Sequence, residues 1–340
     1  MLTFILKRIG LSVIALFGLS VLIFCICHVM PGDPVRMALG ARASDWAVEN
    51  MREQMHLNEP LYVQYYYWLS DAVHGNLGQS LVTRRAVVDD IKEFLPATVE
   101  LALLSGIIMA VLGITLGAVS GRYSNTWIDN GVRIFSYVGI ITPSFVFAIL
   151  FLLLFGYVLH WFPTTGRLSA GLVRPPVITG MMTIDSLIAG DIAAFANVFW
   201  HMILPAFALA MGGMAQEARI TRSTISDNLG RDYISSERGL GFPERLISLK
   251  YLLKPSLIPT ISILGMDFAA LFSNAFLVEL IFNWPGLSRY GMNAILRKDI
   301  NAVAAVVMIL GILFVIVNIA VDLIVAWLDP RIRLSGQGGE

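Results

Sequence analysis

Polar side chains inside long apolar stretches are the residues of this sequence whose chemistry most needs an explanation. Asp267 and Asn274 are seven residues apart and so share a face of one helix, and Glu279 follows near the end of the same apolar run. A charged side chain at the centre of a membrane helix costs roughly 2.5–3.5 kcal/mol on insertion scales. These residues therefore either line a polar route for a solute or form hydrogen bonds between helices. For Asp267 and Asn274 the pattern leaves both interpretations open.

Motifs for covalent or metal chemistry are missing from the sequence. It contains no Gly-x-x-x-x-Gly-Lys-Ser/Thr loop for binding phosphates and no Gly-x-Ser-x-Gly elbow, and none of its five histidines is paired at zinc spacing. Cys25 and Cys27 lie in an apolar run, which favours packing residues over a disulfide or a metal pair. The formal net charge is zero, so nothing indicates nucleic-acid binding. We expect a non-catalytic chain with no cofactor or metal of its own.

A charged segment at about 219–255 is the second candidate for function. Between residues 219 and 254 it carries seven basic and four acidic residues. Its pattern predicts a short polar helix at 232–238, a turn at Gly239 and Gly241, and a second helix from Pro243 in its first turn to Leu253. The second helix places Leu246, Leu249 and Leu253 on one stripe. Such a unit between two membrane spans can transmit force from a soluble partner; an ordinary solvated loop is the alternative.

Six apolar runs must position these residues. The sequence is 56% hydrophobic and only 14% charged, with a mean hydropathy of +0.72, which indicates a membrane protein. Each run approaches or exceeds the length needed to cross a bilayer core. The predicted spans are 9–30, 98–120, 132–158, 198–215, 256–282 and 302–328.

The distribution of basic residues orients these spans. Lys7 and Arg8 precede the first run, and the segment 219–255 is rich in arginine, so the N-terminus, the C-terminus and this segment are predicted to be cytoplasmic. The first outer loop, 31–97, has six basic and nine acidic residues, which suits an external face. We therefore predict an all-α integral membrane protein with six transmembrane helices, divided into 1–97 (first span and large outer loop) and 98–340 (core with five spans).

Two further patterns concern packing. The aromatic stretch 61–69 predicts an amphipathic helix, either at the outer membrane interface or facing solvent and packed on its own loop. Gly113, Gly117 and Gly121 recur at four-residue spacing in the second span, which allows close helix packing. This packing lies either within one subunit or, alternatively, between subunits.

Several runs of residues resemble one protein family along almost the whole chain. They are Met-Pro-Gly-Asp-Pro at 30–34, Gly-Asn-Leu-Gly-Gln-Ser at 75–80, Leu-Pro-Ala-Thr-Val-Glu-Leu at 95–101, Phe-Asn-Trp-Pro-Gly-Leu-Ser-Arg at 282–289 and Asp-Pro-Arg-Ile-Arg at 329–333. In this order they resemble the permease subunits of ABC importers of the dipeptide, oligopeptide and nickel branch. The segment 219–255 is similar to the coupling loop of that family. Gly241 and Leu253 keep its spacing, whereas residues 235–237 and Lys254 depart from its consensus.

The resemblance implies a function and a set of partners. It is strongest to the first permease subunit of a dipeptide or oligopeptide importer, which forms half of a pathway in the bacterial inner membrane. The implied partners are a second homologous permease subunit, two ABC ATPase subunits that bind ATP and Mg, an extracytoplasmic solute-binding protein, and membrane lipid. Nickel is the alternative solute, and opines or short sugars are possible. The long loop 160–200 is more similar to the dipeptide version than to the nickel version. A stand-alone channel or secondary transporter is the alternative of another class.

Site residues follow from the resemblance and from the polar pattern. Leu240 and Phe242 are predicted to be apolar knobs in a groove of the ATPase, with Glu237 and Arg238 orienting the contact. The predicted translocation pathway contains Asp267, Asn274 and Glu279. The predicted ATPase-coupling residues are Asp232, Tyr233, Glu237, Arg238, Gly239, Leu240, Gly241 and Phe242.

Overall fold

The computed structural model describes residues 2–29, 34–40, 42–54 and 56–328. This part of the chain is almost entirely helical and contains no strand beyond an isolated bridge between Gln79 and Ala86. The predicted all-α class is confirmed. Two motif runs lie wholly or largely outside the described residues, namely 30–33 of the first run and 329–333. The predicted cytoplasmic C-terminus also lies outside the described residues.

Fourteen α-helices and two π-helical segments follow one another along the described residues. The π-helical segments are Leu152–Val158, after α7, and Ile247–Leu253, between α11 and α12. The α-helices are α1 (Leu2–Val29), α2 (Pro34–Leu39), α3 (Asp45–Gln54), α4 (Leu61–Val73), α5 (Val87–Arg122), α6 (Trp127–Ile141), α7 (Ser144–Phe151), α8 (Met182–Ile188), α9 (Ile192–Leu229), α10 (Asp232–Gly239), α11 (Glu244–Leu246), α12 (Lys254–Ile281), α13 (Leu287–Leu296) and α14 (Ile300–Leu328).

Five helices in the described chain are long and apolar enough to cross a membrane. They correspond to five of the six predicted spans, and they cover Arg8–Cys27, Val87–Arg122, Ile192–Leu229, Glu244–Ile281 and Ile300–Val325. Several extend well beyond the apolar runs. The helix α5 passes through residues 97 and 98, where the sequence analysis divides the chain, and that division stays a prediction.

The third predicted span, 132–158, is not one straight helix. It consists of α6 and a second helical unit that begins at Ser144, and the two are bent by 108° relative to one another. Thr142 has extended backbone angles (φ −87°, ψ 122°). The ring of Pro143 disfavours the helical conformation for the residue before it, which explains the break. The span is therefore a bent pair of helices.

The closest helix packing joins α5 to α9. A Cβ added to Gly117 would lie 2.6 Å from the Ala218 carbonyl oxygen, and one added to Gly121 would lie 2.8 Å from that of Arg222. Since these distances are too short for a side chain, glycine is required where the two backbones approach. The glycine pattern therefore serves packing within one chain.

The aromatic helix α4 lies against the first span. The hydroxyl groups of Tyr65 and Ser20 are 2.7 Å apart, and Phe24 packs edge-on against Tyr65. The helix also contacts its own loop, because Gln64 donates to the carbonyl oxygen of Glu59. The helix α4 therefore packs against both α1 and its own loop, and its place at the outer membrane interface stays a prediction.

Candidate coupling segment and polar clusters

The turn after α10 is built by a glycine with left-handed backbone angles. Gly241 has φ +80°, and its N–H donates to the carbonyl oxygen of Arg238, while that of Phe242 donates to Glu237. This pair of hydrogen bonds is the Schellman arrangement that ends many helices. The predicted order of helix, glycine turn and helix is present. Pro243 differs from expectation, because it has extended angles and precedes the first helical residue, Glu244.

The helix α10 is held to the membrane helices by one apolar side chain. Ile234 is completely buried and forms a cluster with Ile225 of α9 and with Ile247 and Leu252 of the following π-helical segment. Ile234 is not among the predicted coupling residues, although it is the apolar residue that attaches α10 to this cluster. The predicted stripe of Leu246, Leu249 and Leu253 is not the buried face of this segment. Leu246 and Leu249 are exposed, and Ile247 and Leu252 are buried instead. The π-helical geometry, with its wider turn, changes which residues share a face.

Ion pairs fix the turn against the C-terminal end of α5. Arg238 donates to Glu244 at 2.7 Å, and Arg122 lies 3.4 Å from the same carboxylate. Arg122 also donates to the hydroxyl of Ser248. The guanidinium of Arg238 is thus paired with a carboxylate of the same chain. Glu237 has one buried carboxylate oxygen without a hydrogen-bond partner.

Apolar side chains remain exposed around this turn. Leu240 is 74% exposed and Phe242 is 38% exposed, although Phe242 also packs on the ring of Tyr251 at 6.0 Å. Tyr233 is partly exposed as well, and Asp232 lies in the first turn of α10. The turn therefore presents an apolar surface bordered by charges.

A second ion pair lies at the same end of the molecule. Arg222 of α9 donates to both carboxylate oxygens of Asp129 in α6, at 2.5 and 2.8 Å. Ser120 donates to Asp129 at 2.7 Å, and the N–H of Asn125 donates at 2.9 Å. Since Asp129 is fully buried, this cluster joins α5, α6 and α9. A carboxylate with four donors needs no additional ligand.

Glu279 belongs to a cluster at the opposite end. It is fully buried and accepts hydrogen bonds from the Thr98 hydroxyl at 2.6 Å and from the N–H of Arg289 at 2.8 Å. A Cβ on Gly286 would lie 2.3 Å from its carboxylate, so only glycine fits there. The arrangement joins α5, α12 and α13 and favours the hydrogen-bonding interpretation. A pathway role for Glu279 stays a prediction.

Three of the motif runs meet at this end. Trp284 donates its indole N–H to the carbonyl oxygen of Ala97 at 2.9 Å, and the guanidinium of Arg167 lies 5.3 Å from the Trp284 ring centroid. Arg167 forms a buried ion pair with Glu100. Asn301 donates to the carbonyl oxygen of Gln79 at 2.9 Å, which attaches the run 75–80 to α14.

The loop 160–190 completes this cluster. Glu100 accepts hydrogen bonds from both the N–H and the hydroxyl of Thr183, at 2.6 and 2.5 Å. Within the loop, burial alone would raise the pKa of Asp185, but hydrogen bonds from Thr179 and Gly180 outweigh burial and keep the pKa below its usual value. The loop is thus a folded cap.

Asp267, Asn274 and Glu279 have different surroundings, and their place in a translocation pathway stays a prediction. Asn274 is exposed, Glu279 belongs to the cap cluster, and Asp267 is partly buried with one carboxylate oxygen lacking a hydrogen-bond partner. Asp267 instead lies beside α9, since a Cβ added to Gly213, one turn before Glu217, would lie 3.6 Å from the Cβ of Asp267. Glu217 is a residue that the sequence analysis missed, because it follows the predicted span 198–215.

The two clusters lie at opposite ends of α5. Glu100 is in the cap cluster, and Arg122 is beside the coupling segment. A rise of 1.5 Å per residue separates them by about 33 Å, close to the thickness of a bilayer core. The bent pair also runs from one cluster towards the other, since Asp129 is at its start and Arg167 follows its end. This agrees with six crossings.

Comparisons with known proteins find relatives along nearly the whole chain. Residues 113–334 match the family model described as binding-protein-dependent transport system inner membrane component, and residues 1–102 match the model of its N-terminal part. The chain is 40% identical over 327 residues to a probable D,D-dipeptide transport system permease protein, DdpB, of Escherichia coli K12, covering 96% of this chain and 95% of the relative. It is 34% identical to the dipeptide permease protein DppB of Alkalihalophilus pseudofirmus, covering 98% of this chain and all of the relative. It is also 31% identical to the glutathione permease protein GsiC of Escherichia coli K12, covering 98% and 99%.

Proposed function

This chain belongs to the family of inner membrane components of binding-protein-dependent transport systems, and we infer that it is a permease subunit of an ATP-driven peptide importer. In this function it forms half of the translocation pathway for di- or oligopeptides. The observation that carries the proposal is similarity over nearly the whole chain to permease proteins named for dipeptide transport.

The proposed complex contains several other proteins. A second homologous permease subunit would complete the pathway, two ABC ATPase subunits would bind ATP and Mg, and an extracytoplasmic protein would deliver the peptide. The absence of a phosphate-binding loop from this sequence supports the assignment of ATP hydrolysis to partners. We place the chain in a bacterial inner membrane, with the N- and C-termini and the coupling segment in the cytoplasm.

The coupling segment is suited to transmit motion from an ATPase to the membrane. Closure of the two ATPases would move α10, whose Ile234 is buried between α9 and the π-helical segment that leads into α12. Since α9 and α12 are the fourth and fifth spans, a displacement of α10 biases the packing of both. This gives alternating access a two-state element that the partner can bias. Leu240 and Phe242 would contact the ATPase, and the Arg238–Glu244 pair would keep the turn in position.

The test of this mechanism uses two glycines. Gly241→Val places a β-branched residue at φ +80°, which costs roughly 1–3 kcal/mol of strain, whereas a Cβ there meets no other atom within 4 Å. Gly230→Val, at the end of α9, is the matched control, because its surroundings are equally open and its φ is −86°. We expect Gly241→Val to lose peptide-stimulated ATPase activity in the assembled complex and Gly230→Val to retain it. Normal assembly with unchanged stimulation in Gly241→Val would remove the turn from the mechanism.

Copurification distinguishes this proposal from a stand-alone channel or secondary transporter. The importer should be isolated with a nucleotide-binding subunit, whereas a lone oligomer would favour the alternative. Peptide accumulation against a gradient by the chain alone in liposomes would contradict the proposal. The solute is tested separately, by direct binding of peptides, nickel and other small solutes to the cognate extracytoplasmic protein. The named relatives favour peptides.

A further inference from the structure

Glu217 is a carboxylic acid without a hydrogen-bond partner in the interior of the helix bundle. Its side chain is completely buried, and neither carboxylate oxygen has a hydrogen-bond donor among the described residues. Most buried polar groups in folded proteins are paired, so each exception needs an explanation. Glu217 belongs neither to the cluster around Asp129 and Arg222 nor to the cap cluster around Glu100 and Glu279. The mechanism proposed above does not require it.

Three helices surround this carboxyl group. A Cβ added to Gly113 of α5 would lie 2.7 Å from the Cβ of Glu217, so α5 covers the residue directly. One turn earlier on α9, a Cβ on Gly213 would lie 3.6 Å from the Cβ of Asp267, which brings α12 to the same region. Asp267 also has a buried carboxylate oxygen without a partner. A completely buried acid, Glu217, and a partly buried acid, Asp267, therefore lie on facing helices at one junction.

No positive charge in the described structure compensates them. Asp267 of α12 lies beside Gly213, one turn from Glu217. At this level α5 presents Gly113, and α6 contributes Gly139 beside Ala215. The nearest arginine along α9, Arg219, is exposed and donates to Gln216 instead. Two carboxylates in a medium of low dielectric repel each other and lose hydration, which disfavours the doubly ionised state.

We propose that Glu217 and Asp267 form a proton-binding site inside the membrane domain, with the proton held on Glu217 while α5, α9 and α12 are packed together. When the junction opens to water, the carboxyl O–H bond breaks, the proton passes to a water molecule, and a carboxylate remains. The resulting pair of negative charges then opposes closure of the junction until a proton returns. Opening of this junction is thereby coupled to protonation.

Infrared spectroscopy of the assembled complex in lipid nanodiscs tests the site directly. We expect a carbonyl-stretch band of a protonated carboxylic acid at neutral pH, shifted in heavy water and lost in Glu217→Gln. Glu93→Gln is the control, because Glu93 lies on the exposed outer end of α5 and pairs with Arg85, and its replacement should leave the band unchanged. A band that persists in Glu217→Gln, or is absent from the wild type at neutral pH, would overturn the proposal.

A pH profile separates proton binding from a purely structural role. We expect the wild-type ATPase rate to decline at alkaline pH, because ionisation of Glu217 opposes closure of the junction. Glutamine has nearly the shape of a protonated glutamate and cannot ionise, so Glu217→Gln should keep the wild-type rate at neutral pH and lose this decline. An unchanged alkaline limb in this variant contradicts the coupling of opening to protonation. The infrared measurement needs neither a peptide nor ATP hydrolysis, so its outcome is independent of the proposed transport function.

Discussion

The ion pair between Arg167 and Glu100 connects the cap loop to the second span. Both side chains are over nine-tenths buried, with 8% and 3% exposed. Removing one partner of a buried pair leaves the other charge without compensation, at a cost of about 3–5 kcal/mol. We therefore expect Arg167→Met to lower the thermal unfolding temperature of the detergent-solubilised protein markedly.

Two comparisons make this prediction specific. Asp45→Asn removes an exposed pair with Arg36, and such pairs contribute only about 0–1 kcal/mol. The double variant Arg167→Met with Glu100→Gln should recover part of the lost stability, because the uncompensated charge is gone. Equal unfolding temperatures for Arg167→Met and Asp45→Asn would show that the buried pair is unimportant.

For single residues, the sequence indicated which polar side chains are unusual, but it did not indicate which residues they form hydrogen bonds with. Asp267 and Glu279 stand out because they interrupt an apolar run. The contact of Glu279 with Thr98 joins residues far apart in the chain, and no local pattern indicates it. Glu217 was missed for a different reason. Hydropathy detects the apolar part of a helix, and α9 continues beyond that part, so its buried acid resembles the start of a polar segment.

Helix packing between α5 and α9 gives a prediction at the scale of elements. In Gly117→Ala, the new methyl group would lie 2.6 Å from a backbone oxygen of α9, which forces the helices apart. Overpacking of this kind typically costs about 1–3 kcal/mol. We expect a lower unfolding temperature, measured by intrinsic fluorescence in detergent.

Gly131→Ala on α6 is the matched control for this variant. A Cβ on Gly131 meets no atom within 4 Å, and alanine is favoured over glycine in a helix by about 1 kcal/mol. Its stability should therefore equal or exceed that of the wild type. Destabilisation of both variants to the same degree would indicate that close approach of α5 and α9 is not the cause.

The spans themselves were predictable because a long apolar run has few alternatives to a membrane helix. Their ends were not, since helices continue into polar sequence wherever packing and capping satisfy the backbone. The break in the third span had a local signal in Thr142 and Pro143. The unequal exposure of Leu246 and Ile247 had none, because a π-helical segment changes the helical phase without a distinctive sequence.

The whole molecule has two ends, and one bent pair of helices determines which segments lie on the same side of the membrane. This pair consists of α6 and the helical unit from Ser144 to Val158. If this pair crosses the membrane, the cap loop lies outside and the coupling segment lies in the cytoplasm. If it returned to the side it started from, both assignments after it would be reversed. The positions of Asp129 and Arg167 at opposite ends of α5 favour a crossing.

Cysteine labelling in intact cells distinguishes the two arrangements. In a background with Cys25→Ala and Cys27→Ala, Ala170→Cys reports on the cap loop and Ser235→Cys on α10, and both positions are exposed. We expect a membrane-impermeant thiol reagent to label Ala170→Cys in intact cells and Ser235→Cys only after permeabilisation, because only the outer face is accessible to it. The reverse pattern would place α10 outside the cell, where no ATPase can bind it, and would contradict both the six-crossing arrangement and the proposed coupling.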